Sequence, residues 1–285
     1  MKIIIESGAT KGDWRLISET DGSRSRILTK GTNVSTMPMS SIRDIIHEAC
    51  KEIVSAGENV SSVHMYTAGV LTPEISDELT GFFVEELGDV ECDIQTDLTG
   101  AARAACGHEA GIAAILGTGS NSCQFDGTSI EKRVYSSGFI LGDEGSAATL
   151  GKLFVADFLK GLIPEYIAKD FSARYETGYA HIVENVYRSS GSPSGYLGGF
   201  APFIMEYYED PHIKNLVDGN FRAFIRRSVK QYEYERFPVG VVGGFGYALK
   251  DIFQRIADEE GIRISGFIKD PIEELIKYHI TDSGR

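Results

Sequence analysis

Short apolar runs alternate with amphipathic stretches from the first residues onward. Ile3 to Ile5 is one such run, and it ends at Glu6-Ser7-Gly8-Ala9-Thr10-Lys11-Gly12, a turn of small residues. Residues 13–18 and 25–29 alternate apolar with polar on either side of a turn at Asp21-Gly22, which predicts a pair of strands. At 41–56 the period changes. Ile42, Ile45, Ile46, Ala49 and Ile53 recur every three or four residues and predict an amphipathic helix capped by Ser40 or Ser41. A strand at 63–67, a helix at 73–87 opened by Pro73, a strand at 94–96 and an Ala-rich helix at 100–106 behind Asp97 follow.

The order then recurs in outline. Gly111 to Leu116 is a strand leading into Gly117-Thr118-Gly119-Ser120-Asn121, residues 122–125 continue as a second strand, and 131–135 form a third beyond Asp126-Gly127. Residues 147–187 and 218–234 read as mostly helical. Val239 to Val242 is a buried strand ending in Gly243-Gly244-Phe245-Gly246, with a helix at 247–260 behind it, a β-like segment at 262–266 and a terminal helix at 271–279. This alternation predicts an α/β protein with largely parallel sheets covered by helices. No linker is rich enough in Pro, Gly or Ser to separate independent modules, so two halves sharing a cleft are expected.

Composition narrows the partners. The 285 residues are 42% hydrophobic and 24% charged, which suits one large or two medium folded domains. Lys and Arg number 28 against 41 Asp and Glu, a net charge of −13 that repels a phosphate backbone, so no nucleic acid is expected as partner. Arg222, Arg226, Arg227 and Lys230 are spaced as one solvated helix face. No stretch approaches the roughly 18 apolar residues of a membrane span, and Glu6 ends the first apolar run too early for a secretory signal. Four cysteines (Cys50, Cys92, Cys106, Cys123) lie far apart with no CxxC, as thiols of a reducing compartment do, and a cytoplasmic location is expected. The six histidines are scattered with no pair at metal-ligand spacing, so no histidine metal site is expected. The aromatic stretch 200–208 with Tyr232 and Tyr234 is expected in the core or in a homodimer contact.

Three Gly-rich turns, at 8–12, 117–121 and 243–246, each follow an apolar strand, and backbone N–H groups of such turns can approach an anion closely. Hairpins and strand–helix junctions also need Gly, so one turn alone says little. Neither a GxxxxGK[ST] loop nor a GxGxxG after the first strand is present, which argues against P-loop and Rossmann sites. As a set, however, Glu6-Ser7-Gly8-Ala9-Thr10-Lys11, Gly117-Thr118-Gly119-Ser120-Asn121 and Val241-Val242-Gly243-Gly244-Phe245-Gly246 resemble the first phosphate loop, second phosphate loop and adenosine motif of the actin/hexokinase/Hsp70 ATPase superfamily. More narrowly, Thr96-Asp97-Leu98-Thr99-Gly100-Ala101-Ala102, then GTGSN at 117–121, then Gly142-Asp143-Glu144-Gly145-Ser146 resemble the N-acetylglucosamine kinase branch of the BadF/BadG/BcrA/BcrD ATPase family. That family is named for activator ATPases of benzoyl-CoA reductase and 2-hydroxyacyl-CoA dehydratase. The resemblance covers nearly the whole chain, and the pairing of GTGSN with GDEGS is its specific part.

The resemblance implies two ribonuclease H-like (actin-like ATPase) domains facing each other across a cleft, one from residues 1–106 with the C-terminal helix 271–285, the other from 107–270. It implies ATP and Mg²⁺ as cofactors and phosphorylation of an amino sugar, N-acetylglucosamine at its 6-hydroxyl. On that reading Gly8, Thr10, Lys11, Gly117, Thr118, Gly119, Gly243 and Gly244 hold ATP, and Glu6 approaches Mg²⁺ through water. Asp97 is the base for the sugar hydroxyl, and Asn33, Ser120, Asn121, Gly138 and Asp143 join it in contacting the sugar. Local chemistry offers plainer roles: Asp97 as a helix cap, Gly142–Gly145 as a turn with a cap, Asn33 as a turn residue.

Two positions depart from the family pattern. Glu6 stands where many relatives carry Asp, and Ser136-Ser137-Gly138-Phe139-Ile140 stands where relatives often carry a Gly-flanked Trp, which reshapes the sugar pocket. Alternative functions are an ATPase activating a dehydratase or reductase, which would need cysteines arranged for an iron–sulfur cluster, and a catalytically silent sugar sensor. With the first loop starting at residue 6, no N-terminal DNA-binding module is expected, and the presence of Asp97 argues against silence.

Overall fold

The computed structural model describes residues 1–8, 11–55, 57, 59–188 and 191–281, so Thr10 and Ala56 lie outside the described residues. The chain divides into two compact units, residues 1–108 with the segment from Pro271 onward, and residues 109–270. Unit 1 holds a five-stranded sheet of β1 (Lys2–Ser7), β2 (Lys11–Ile17), β3 (Arg24–Lys30), β4 (Ser62–Thr67) and β5 (Glu91–Thr96) in the order β3-β2-β1-β4-β5. The first three strands form an antiparallel meander, and β4 and β5 run parallel to β1.

Strand alternation decides what each face of this sheet meets. Ile3, Ile5, Val63, Met65 and Ile94 point to one side and close a core with Ile42, Ile46, Ala49 and Ile53 of α1 (Met39–Ser55) and Leu79 and Phe83 of α2 (Pro73–Leu87). The other side lies under α3 (Asp97–Cys106) and the C-terminal helix (Ile272–Thr281), which buries Leu275 and Ile276. That second face is unusually polar. Ser62 and His64 of β4 stand in register with Glu91 and Asp93 of β5. One expectation is corrected here: the scattered histidines do meet, because this register sets His64 beside Asp93 and the C-terminal helix lays His279 over both, within reach of a single ion. Sequence spacing is blind to such a meeting, since its members come from distant strands and the last helix.

Unit 2 repeats the topology. Its sheet contains β6 (Gly111–Leu116), β7 (Ser120–Phe125), β8 (Ile130–Val134), β9 (Val239–Val242) and β10 (Ile264–Ile268) in the order β10-β9-β6-β7-β8. As in unit 1, the first strand is central, with an antiparallel hairpin on one side and two parallel strands on the other. The helices are α4 (Gly138–Leu141), α5 (Ala147–Leu159), α6 (Glu165–Arg174), α7 (Tyr179–Val183), α8 (Pro193–Gly198), α9 (Ala201–Glu206), α10 (Pro211–Arg227), α11 (Gly244–Ala248) and α12 (Lys250–Glu259). α5 and α8 cross backbone to backbone: a Cβ on Gly151 would stand 1.9 Å from the Leu197 carbonyl oxygen.

An aromatic cluster fills the helical layer of unit 2. Phe171 meets the rings of Phe154, Phe158, Tyr175, Phe200 and Phe203 at centroid distances of 5.0 to 5.2 Å. Phe200, Phe203 and Tyr232 are therefore core residues, and the Tyr232 hydroxyl donates to the Ser122 carbonyl at 2.9 Å. The basic face of α10 is neutralised by acidic groups: Arg226 and Lys230 meet Glu260 at 2.7 and 2.6 Å, Arg222 meets Glu259, and Arg227 meets Glu144. All four cysteines are free thiols. Among the described residues no helix is long and apolar enough to cross a membrane.

Some element limits differ from the pattern. The helix behind Gly243 starts at once as the short α11 before α12, and β10 occupies 264–268, two residues later than hydropathy suggests. Phe171→Ala removes the ring at the centre of the aromatic cluster and is expected to cost about 3–5 kcal/mol. A fall in the midpoint of denaturant unfolding at unchanged slope is the measurement.

Candidate functional site

In parallel α/β sheets, ligands bind beyond the carboxyl ends of the strands. In unit 1, Ser7, Thr67 and Thr96 end β1, β4 and β5 in register. Beyond the β1 edge the Gly8 N–H donates to the Lys11 carbonyl at 3.1 Å. Three buried hydroxyls tie the next segment to this edge. The Ser7 Oγ accepts from the Thr32 N–H and Oγ1 at 2.9 and 2.8 Å, and the Thr67 Oγ1 donates to the Thr32 carbonyl at 2.9 Å. Asn33 is thereby held beside the edge, where its Oδ1 accepts from the Ser35 N–H at 2.9 Å. Lys11 is exposed and Glu6 half-buried.

Asp97 is not the cap of its helix. Thr96 does that work, its Oγ1 accepting from the Thr99 N–H at 3.0 Å. α3 therefore begins at Asp97 rather than near residue 100. The half-buried Asp97 carboxylate sits in the first turn, at the positive end of the helix dipole, and Oδ1 accepts from the Leu98 N–H at 2.9 Å.

Unit 2 presents its own carboxyl edge. β6 and β9 run in register as far as Ile115 and Val242. The turn after β6 is closed by the Gly117 N–H donating to the Gly119 carbonyl at 2.9 Å, and the first N–H groups of α5, on Ala147 and Ala148, donate to the carbonyls of Gly117 and Thr118 at 3.0 Å. The 243–246 turn lies against it: Gly243 has a φ of +119°, and a Cβ there would stand 2.6 Å from the Leu116 carbonyl oxygen. Gly8 and Gly244 differ. Neither has a left-handed φ, and a Cβ on either would meet nothing within 4 Å. Fold and packing do not demand glycine at either position.

Asp143 is buried beside the same loop. The Ser120 N–H donates to Oδ1 at 3.3 Å, and Oδ2 lies 3.1 Å from where a Gly119 Cβ would be. Burial pushes its carboxyl pKa up, and the Ser120 N–H only partly opposes this. Asp143 adopts a φ of 54°, held by its N–H on the Ser136 carbonyl at 3.0 Å and by the Thr149 Oγ1 donating to its carbonyl at 2.8 Å. It does not cap α5; the Ser146 hydroxyl does, accepting from the Thr149 N–H. Asn121 is half-buried with Oδ1 accepting from the Ser122 N–H, Thr118 is exposed, and Gly138 is exposed at the start of α4.

The sheet edges thus gather Glu6, Gly8, Asn33 and Asp97 in unit 1, and Gly117, Gly119, Ser120, Asp143 and Gly243 in unit 2. Sequence reasoning missed Asn220. This buried side chain accepts from the Gly145 N–H at 2.8 Å and donates to the Ser146 carbonyl at 3.0 Å, fixing the turn that carries Asp143. Its signal was an Asn on the apolar stripe of α10, among Val217, Phe221 and Phe224. Asn220→Ala strands two buried backbone groups and is expected to cost about 1–3 kcal/mol per group. Differential scanning calorimetry of the variant measures it.

No family model and no curated protein matches the chain. Solved structures do. A provisional N-acetylglucosamine kinase of Porphyromonas gingivalis is 35% identical, superposes with a TM-score of 0.92, and aligns over 99% of this chain and 100% of its own. A provisional N-acetylglucosamine kinase of Chromobacterium violaceum (18% identity, TM-score 0.75, 97% and 98% covered) and a provisional N-acetylmannosamine kinase of Listeria monocytogenes (14%, 0.54, 99% and 99%) share the fold. The repeated topology, the Gly-rich edges and the full-length match together place the chain in the N-acetylglucosamine kinase-like branch of the actin/hexokinase/Hsp70 ATPase superfamily.

Proposed function

We propose that this sugar kinase transfers the γ-phosphoryl group of ATP to the 6-hydroxyl of N-acetylglucosamine. The observation that carries the reading is Asp97: a half-buried carboxylate at the carboxyl edge of the unit 1 sheet, in a helix whose capping is done by another residue. Phosphoryl transfer asks for positioning and charge stabilisation more than for covalent chemistry. Asp97 orients the attacking hydroxyl and accepts its proton as the phosphoryl group departs. Asn33, Ser120 and Asn121 orient the sugar.

Asp143 accepts hydrogen bonds from sugar hydroxyls. Because its buried carboxylate has few donors in the free protein, a sugar that lacks the matching hydroxyl would leave it underserved, and this is the origin of selectivity. Backbone N–H groups around Gly8, Gly117, Gly119, Gly243 and Gly244 hold the nucleotide phosphates, with Thr10, Lys11 and Thr118 adding donors.

Glu6, half-buried near the end of β1, fits a water-mediated contact to Mg²⁺, an ion that keeps several waters and needs only one or two protein carboxylates. Bound Mg²⁺ would supply neutralisation of the triphosphate charge. Free thiols and dependence on ATP fit a cytoplasmic setting.

ADP release measured with Mg·ATP across N-acetylglucosamine, N-acetylmannosamine, glucosamine, N-acetylmuramic acid and glucose tests the reading. N-acetylglucosamine is expected to give the highest kcat/KM, and Asp97→Asn to lower kcat by about 10²–10⁴-fold. Release that ignores sugar and is unchanged in the variant would contradict the assignment. The raised pKa of Asp143 adds a pH signature: the KM for sugar is expected to rise as pH falls through that pKa, and Asp143→Asn to abolish this limb of the profile.

A further inference from the structure

At the amino-terminal end of the unit 1 sheet, opposite the loops discussed above, lies a second cluster of chemistry-bearing side chains. His64 on β4, Asp93 on β5 and His279 on the C-terminal helix each offer one ligand atom, and these atoms all lie within 4.8 Å of one another. The His64 and His279 rings stack at 3.8 Å between centroids. A cavity of about 360 Å³ opens onto both rings and is also lined by Lys2, Glu19, Ser62 and Glu91.

Hydrogen bonding leaves His64 in this cluster unexplained. The His64 Nδ1 stands 3.7 Å from the Asp93 Oδ2, too far for a hydrogen bond. It is close to the roughly 3.3 Å that separates neighbouring ligands around a tetrahedral ion with bonds of about 2.0–2.1 Å. The His64 Nδ1 is buried with no hydrogen-bond partner, and so is the Oγ of Ser62, which is 6% exposed on the same face of β4 and lines the same cavity. Two such orphans on one strand facing one cavity are a cost that calls for an ion or its bound water.

We propose that His64, Asp93 and His279 bind a divalent transition-metal ion of the zinc class, with the cavity side left for water. Imidazole and carboxylate suit Zn²⁺ as donors, and three protein ligands with one open position is a common zinc arrangement. The surroundings supply the outer contacts such ligands need. The Tyr66 hydroxyl and the His279 Nε2 are hydrogen-bonded at 2.7 Å, the Arg103 Nη1 donates to both the Tyr66 hydroxyl and the Asp93 Oδ2, at 2.7 and 2.6 Å, and the Gln95 Nε2 donates to the Asp93 Oδ1 at 2.8 Å. The Asp93 Oδ2 keeps a second lone pair beside the one that takes the Arg103 N–H, and Glu19 and Glu91 add carboxylates to the lining of the same cavity. The ion ties the C-terminal helix to β4 and β5. This site is separate from the sugar-kinase reading and does not depend on it.

Calorimetric titration of chelator-stripped protein with Zn²⁺ tests the proposal. One equivalent is expected to bind, raising the Tm, and His64→Ala and His279→Phe, which remove ligands, are each expected to weaken binding by more than the roughly 10–100-fold that loss of an outer contact costs. His212→Ala, which removes a surface pair with Asp157, is expected to leave it unchanged. Absence of saturable binding in the wild-type protein, or binding unaffected by the His64 and His279 substitutions, would overturn the proposal. Should those variants fail to fold, Co²⁺ added to the wild-type protein decides: intense visible bands of a four-coordinate ion support the site, and only the weak bands of the hydrated ion overturn it.

Discussion

Parallel strands that end together impose the constraint from which the rest of this molecule follows. In unit 1 the register of β1, β4 and β5 places Ser7, Thr67 and Thr96 side by side, so whatever follows each strand emerges at one edge. In unit 2 the register of β6 and β9 does the same for the 117–119 and 243–246 turns. The chain needs glycine where a backbone must pass close to its neighbour, as at Gly243, and small polar residues where turn carbonyls and N–H groups must be satisfied without bulk. Chemistry gathers where the fold already demands short, polar, backbone-rich connections.

Buried polar groups then fix the details. The Ser7, Thr32 and Thr67 hydroxyls hold Asn33 at the unit 1 edge, and Asn220 holds the turn of Asp143 in unit 2. None of these positions is expensive to keep while its partners are present, yet each leaves a costly orphan when one partner is removed. Asp143 sits at the boundary of this rule, buried with little hydrogen bonding of its own.

Hydrophobic period read most of the fold correctly, because strands such as β6 and β9 and helices such as α1 and α2 are separated by unambiguous turn residues. Period was weakest where helices are short. α4, α8 and α9 carry too few turns to establish a stripe, and α11 runs directly out of a glycine turn. The glycine loops, Asp97 and Asp143 were legible as motifs, whereas the local role of Asp97 was not: choosing between Thr96 and Asp97 as cap depends on where the helix starts, which pattern fixes poorly. Asn220 left only one trace, a polar residue on the apolar stripe of α10, and the meeting of His64, Asp93 and His279 depends on register between distant segments that no local reading of residues reaches.

A sugar kinase passes the phosphoryl group to a sugar oxygen rather than to water. Correlated ¹H–³¹P NMR of the product mixture after complete turnover of ATP with N-acetylglucosamine tests it directly. One phosphomonoester coupled to the protons on carbon 6 and equal in amount to the ADP formed is expected. Inorganic phosphate equal in amount to the ADP, with no phosphomonoester, would contradict it and point to an ATPase instead.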